Sequence, residues 1–132
     1  MSIAIGVALG LIIGATCMIT GMDRDRALYP AIMIVIAAYY VLFALMGGST
    51  QALLIELAVG MVFVVVALAS FKTSLWLVAG AIAAHGVFDF VHPHVYVNAG
   101  VPAWWPAFCG SIDVVLGAYL AWLLASKRVS AR

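Results

Sequence analysis

Apolar residues fill this chain in five runs, and polar residues are confined to the short joints between them and to a few isolated positions inside. A helix rises 1.5 Å per residue and the hydrocarbon core of a bilayer is about 30 Å thick, so roughly 20 apolar residues cross it. The runs are Ile3 to Gly21, Leu28 to Met46, Gln51 to Ser70, Leu75 to His92, and Pro106 to Ser126. They predict an all-α polytopic membrane protein, a single five-helix domain over 1–132 with almost nothing left over for a soluble unit. The joints carry turn chemistry. Asp25 is placed to cap the second helix, with Pro30 tolerated in its opening turn. Gly47-Gly48 stops that helix, Ser49 and Thr50 cap the third, and the Ser70 to Ser74 joint supplies a cap for the fourth. Pro93 disfavours helical geometry at His92, so the fourth helix is expected to end there, with His94 in the following loop.

Composition agrees: 67% of residues are hydrophobic and 8% charged, against about 25% charged in soluble domains. The net charge of +1 and the lack of a basic patch interleaved with aromatics argue against nucleic acid as a partner. Charge placement changes the picture further. All six basic residues, Arg24, Arg26, Lys72, Lys127, Arg128 and Arg132, fall on one side of a five-helix arrangement. Four or six helices would scatter them. The positive-inside rule then puts the N-terminus outside and the C-terminus in the cytoplasm. The first run has no basic n-region and reads as a retained helix rather than a cleaved signal. Cys17 and Cys109 fall in opposite halves of the membrane, so no disulfide is expected between them.

Gly6, Gly10 and Gly14 recur every four residues in the first helix, a strip that lets backbones approach closely. Packing against a neighbouring helix of the same chain is the favoured use; a homo-oligomer seam is the other. The Met22-Asp23-Arg24-Asp25-Arg26 joint alternates charge and reads as a solvated turn. Tyr39 and Tyr40 point about 100° apart, so at most one faces a common interior. The uncharged, largely apolar stretch Val95 to Trp105 reads as a lid on the membrane surface, with Trp104 and Trp105 at headgroup level.

The candidate chemistry lies mainly in His85-Gly86-Val87-Phe88-Asp89-Phe90-Val91-His92-Pro93-His94, which holds all three histidines. His85, Asp89 and His92 stand at i, i+4 and i+7 and share a helix face. Measured from the outer helix ends, Asp89 is roughly 5 Å deep, Glu56 roughly 8 Å, and His85, Asp113 and Tyr39 roughly 11 Å. Ionisable groups within lipid must face the bundle interior or a water-filled cavity. The expectation is one polar chamber opening to the outside, lined by His85, Asp89, His92, Glu56 and Asp113.

Two imidazoles and a carboxylate form a ligand set for zinc, copper or iron, so His85, Asp89 and His92 are the expected metal ligands. Without a metal, His85 and Asp89 form an acid–base pair, with Glu56 and Asp113 completing the catalytic group and Tyr39 or Asn98 orienting substrate. The function expected is a membrane-embedded enzyme of the hydrolase or isomerase class acting on a lipid-like, apolar substrate. The alternatives are a non-catalytic subunit holding a haem or pigment through His85, beside small Ala83, Ala84 and Gly86, and a proton- or ion-conducting element.

The pattern His85-x-x-x-Asp89-x-x-His92, followed by Asn98, Pro102, Pro106, Phe108-Cys109 and Asp113, resembles a group of small bacterial integral-membrane proteins collected as a domain of unknown function. In those the stretch reads H-x-x-x-D-x-x-H-H, then Asn-Pro, then a Cys followed by Asp. The likeness covers about the last third of the chain and implies a polar intramembrane site but no activity; the bacterial inner membrane is the expected location. Pro93, standing between His92 and His94, departs from it. An intramembrane His-x-x-x-acid pair in five helices is also similar, in architecture alone, to sterol isomerases.

Overall fold

The computed structural model describes residues 1–131, and its long helices follow the five apolar runs. They are α1 (Ser2–Thr20), α2 (Leu28–Gly47), α3 (Thr50–Lys72), α4 (Leu75–Val95) and α5 (Trp105–Ala125), with one 3-10 turn at Met22–Arg24. All five are long and apolar enough to span a membrane. Their outward faces remain apolar, as in Leu11, Ile12, Val62 and Val87. That is the surface a helix presents to hydrocarbon rather than to water.

The caps follow the side chains available. Ser49 Oγ accepts from the Ala52 amide at 3.2 Å and Ser74 Oγ from the Trp76 amide at 3.4 Å. Asp25 does not cap α2 as expected: it accepts from the Ala27 amide at 2.9 Å within the joint, and Ala27 itself stands at the N-cap, with no side-chain bond to the first turn. Gly21 and Gly48 close α1 and α2 at φ of 75° and 69°, a left-handed conformation that costs glycine little. One boundary differs from expectation. α4 runs through Pro93 to Val95, so His94 lies exposed in its last turn instead of in a loop. Proline removes one helical donor. His92 is nonetheless held in helical geometry by its buried side chain, and its carbonyl still accepts from the Tyr96 amide.

The helices pair α4 with α5, α1 with α5, α2 with α3 and α3 with α4. Small residues decide the two seams on α5. Gly6, Gly10 and Gly14 of α1 face Phe108, Ser111, Val115 and Tyr119, so the glycine strip is used inside the chain. Across the α4–α5 seam, a Cβ at Gly86 would stand 2.8 Å from the Gly110 carbonyl, and one at Gly117 would stand 2.8 Å from the Ala83 amide. These backbones are as close as they can come. The apolar core, with Met33, Val78, Ile82 and Leu120 fully buried, fills the space between α2, α4 and α5.

The first joint is not the solvated turn its charge pattern suggests. Asp23 is 4% exposed and accepts from the Tyr29 hydroxyl of α2 and, at 2.7 Å, from the Tyr119 hydroxyl of α5. Arg26 donates to the Phe71, Ser70 and Ala131 carbonyls at 2.7, 3.0 and 3.1 Å. It ties the joint to the end of α3 and to the C-terminal tail. The Val95 to Trp105 stretch is pinned to the bundle, with Val95, Val97 and Trp104 exposed. Asn98 is buried, and Gly100 sits directly against Gly47 and the Phe43 carbonyl, where no side chain fits.

A buried His/Asp/Asp cluster beside a lateral cleft

Three of the expected site residues meet at the α4–α5 seam. His85 Nδ1 lies 2.8 Å from Asp113 Oδ2 and 3.6 Å from Asp89 Oδ1. One ligand atom from each of the three falls within 4.8 Å of the others. His85 is 2% exposed and both aspartates are 0%. The seam explains the meeting. His85 and Asp89 are one turn apart on the α4 face that carries Gly86, and the Gly86–Gly110 contact brings the first turns of α5 close enough for Asp113 to reach across.

The cluster is incompletely satisfied. Both Asp89 oxygens and Asp113 Oδ1 are buried without a hydrogen-bond partner. The Tyr40 hydroxyl lies next to Asp89 without closing a hydrogen bond to it. Cys109 Sγ is 3.9 Å from Asp113 Oδ2. Buried polar atoms are almost always paired, so orphaned oxygens on two neighbouring carboxylates call for a cation or a proton.

The donor set fits a divalent metal. Bonds of about 2.1 Å in a tetrahedral arrangement hold ligand atoms roughly 3.4 Å apart, between the two spacings at His85. A divalent cation bound there would have its charge cancelled by the two carboxylates within the low-dielectric interior.

A second group lies nearer the helix ends. His92 Nε2 and Glu56 Oε1 are 2.9 Å apart, and Asn98 Nδ2 donates to the same Glu56 oxygen at 2.8 Å and to the Tyr40 carbonyl at 3.3 Å. Tyr96, beyond the end of α4, stacks edge-on to His92 at 4.7 Å. Burial and the neighbouring Glu56 carboxylate hold its phenol above the usual range. The expected metal set therefore divides. His92, although on the face of His85 and Asp89, turns to Glu56 of α3, and Asp113 takes its place beside them.

The single open chamber also resolves into two closed groups, with Tyr40 and Phe88 packed against both histidines. Of the tyrosine pair, Tyr40 faces the interior, its ring 4.4 Å from that of His92, whereas Tyr39 is on the outer side against Trp105. Tyr40 is the site residue the sequence reading passed over. Phe63 of α3 covers His85 edge-on at 4.9 Å.

Closed toward the ends of the bundle, the cluster borders a cleft on its flank. α1 leans on α5 and makes no extensive contact with α2. The resulting groove, about 490 Å³, is walled by Leu9, Ile13, Ala31, Ile32, Val35 and Tyr39, with Cys109 and Asp113 also in its lining. Its rim residues Leu9, Val35 and Tyr39 are exposed on the apolar surface, while Asp113 is fully buried. Volume and lining are those of a small-molecule site. No protein-family model matches the chain, and neither a curated protein nor a solved structure similar to it was found.

Proposed function

We propose that this chain is a membrane-embedded enzyme in which His85, Asp89 and Asp113 hold a divalent transition metal, acting on an apolar, lipid-like substrate seated in the lateral cleft. The observation that supports it is a buried His/Asp/Asp cluster, with orphaned carboxylate oxygens, on the border of an apolar groove that opens on the apolar outer face of the bundle. A metal held there supplies Lewis acidity and, with a bound water, a nucleophile near neutral pH. Tyr40 and Cys109 flank the carboxylates; Phe63 and Phe88 pack on His85 and exclude water. Glu56, His92 and Asn98 brace the outer end of α4 against α3 and the α4–α5 connection. The reaction class this favours is hydrolysis or isomerisation of a substrate whose apolar part lies along α1 and α2.

The basic residues Arg24, Arg26, Lys72, Lys127 and Arg128, at the end opposite the N-terminus, favour a bacterial inner membrane with the C-terminus in the cytoplasm. A macrocycle beside His85 has less in its favour. Of its small neighbours Ala83, Ala84 and Gly86, Gly86 and Ala83 are packed against Gly110 and Gly117 of α5, and Ala84 is on the outer surface.

Elemental analysis of detergent-purified protein tests the proposal. The expected result is about one zinc, iron or copper per wild-type chain, lost on Asp113→Asn and on Asp89→Asn but kept on His92→Gln. Metal-free wild-type protein that also takes up none of these ions when they are added defeats it.

A further inference from the structure

At the opposite end of the bundle the chain builds a second polar feature, unrelated to the metal cluster. After α5, Lys127 adopts a left-handed φ of 56°, and the Lys127 and Arg128 amides return to the Leu124 and Leu123 carbonyls. The tail then folds back across the bundle. Val129 is buried in the core, and the Ala131 carbonyl accepts from the Leu75 amide at 2.9 Å and from Arg26. This return brings Arg128 to the first joint, where Arg24, Arg26, Arg128, Leu75, Val129 and Ser130 enclose a pocket of about 260 Å³.

The pocket is cationic because its acids are spent elsewhere. Asp23 is turned inward to two tyrosine hydroxyls, and Asp25 accepts from the Ala27 amide. Among the described residues no arginine or lysine lies within ion-pair distance of an acid. Arg26 is committed to backbone carbonyls. Arg128 rests on the Trp122 ring at 4.7 Å, and the Arg24 side chain makes no hydrogen bond among the described residues. Among the described residues the lining of this pocket holds three guanidinium groups and no carboxylate, Asp23 lying in the adjoining one. At the level where helix ends meet lipid headgroups, such a pocket is suited to an anion that accepts several hydrogen bonds.

We infer that this pocket binds a phosphate group, supplied by the headgroup of an anionic phospholipid. The tail return is what assembles it: without the left-handed turn at Lys127, Arg128 would not meet Arg24. Juxtamembrane basic residues are attracted to anionic lipid in general. A built pocket adds dependence on which cations are present.

The test uses full-length protein in detergent, with retained lipid measured by native mass spectrometry. The probes are dioleoylphosphatidylglycerol, dioleoylphosphatidylcholine and inorganic phosphate. Phosphatidylglycerol is expected to bind in preference to phosphatidylcholine. Its affinity should fall about tenfold or more in Arg24→Gln/Arg128→Gln and less than about twofold in Lys72→Gln/Lys127→Gln, which removes the same charge outside the pocket. Displacement of the lipid by millimolar phosphate supports a site that reads the phosphate itself. Phosphate bound without any lipid preference assigns the pocket to a soluble phosphate instead. Equal losses in the two double variants, or binding of neither anion, overturn the inference. Circular dichroism and melting of both double variants separate loss of the pocket from loss of the fold.

Discussion

Replacing Gly86 by alanine puts one methyl group into the seam that assembles the cluster. The new Cβ would stand 2.8 Å from the Gly110 carbonyl oxygen and 2.9 Å from the Val114 amide nitrogen. Ordinary contact begins near 3.4 Å; two of the three clashing atoms are backbone and the third, Val114 Cγ2 at 2.9 Å, belongs to a stiff β-branched side chain, so α4 and α5 must separate by about 0.6 Å. Overpacking of this kind costs about 1–3 kcal/mol. Alanine regains about 1 kcal/mol of helix propensity, leaving a net loss of about 0–2 kcal/mol.

Gly80 is the control, on the same helix with nothing within 4 Å of its added Cβ; Gly80→Ala carries the propensity gain alone. Unfolding by SDS titration in mixed micelles should therefore place Gly86→Ala about 1–3 kcal/mol below Gly80→Ala. The separation also pulls Asp113 from His85, which are now 2.8 Å apart. Metal affinity should fall in Gly86→Ala and hold in Gly80→Ala. Equal stability and equal metal affinity in the two variants would refute the reasoning that the seam sets the cluster.

Three further outcomes follow from the same contacts. Asp23→Ala strands two hydroxyls and should cost about 1.5–3 kcal/mol for each charge-assisted bond lost. Tyr29→Phe and Tyr119→Phe should each cost less, and a double-mutant cycle by SDS titration should show coupling through the shared carboxylate. His92→Leu leaves Glu56 with Asn98 and the neighbouring Tyr96; it should destabilise by about 3 kcal/mol, and adding Glu56→Leu should restore part of the loss. Ala31→Trp fills the exposed side of the cleft, so labelling of α1 and α5 by a diazirine-bearing fatty acid should drop while melting stays within about 1 kcal/mol of wild type.

How much of this was readable from residues alone depended on what sets each feature. The five helices were legible because span length is fixed by bilayer thickness and apolar runs record it directly. That His85, Asp89, Glu56 and Asp113 are buried was legible too, because ionisable groups in such runs have few places to go. Partner choice was not. His85 and His92 lie on one face of α4, yet that face meets α5 at the depth of His85 and α3 at the depth of His92, and residue spacing carries no record of neighbours at each height. Tyr40 rather than Tyr39 faces inward through a 100° difference in helix phase that an almost uniformly apolar helix leaves unmarked. Asp23 looked solvated because its neighbours in sequence are charged. Its partners are uncharged hydroxyls, one of them 96 residues away.

The central claim is the ligand set, and X-ray absorption at the edge of the bound metal tests it most directly. Protein loaded with one equivalent of zinc or cobalt should show one imidazole nitrogen and carboxylate or water oxygens at about 2.0–2.2 Å, with no sulfur. Two imidazoles would return His92 to the site, and a shell at about 2.3 Å would bring in Cys109; either result contradicts a centre built from His85, Asp89 and Asp113.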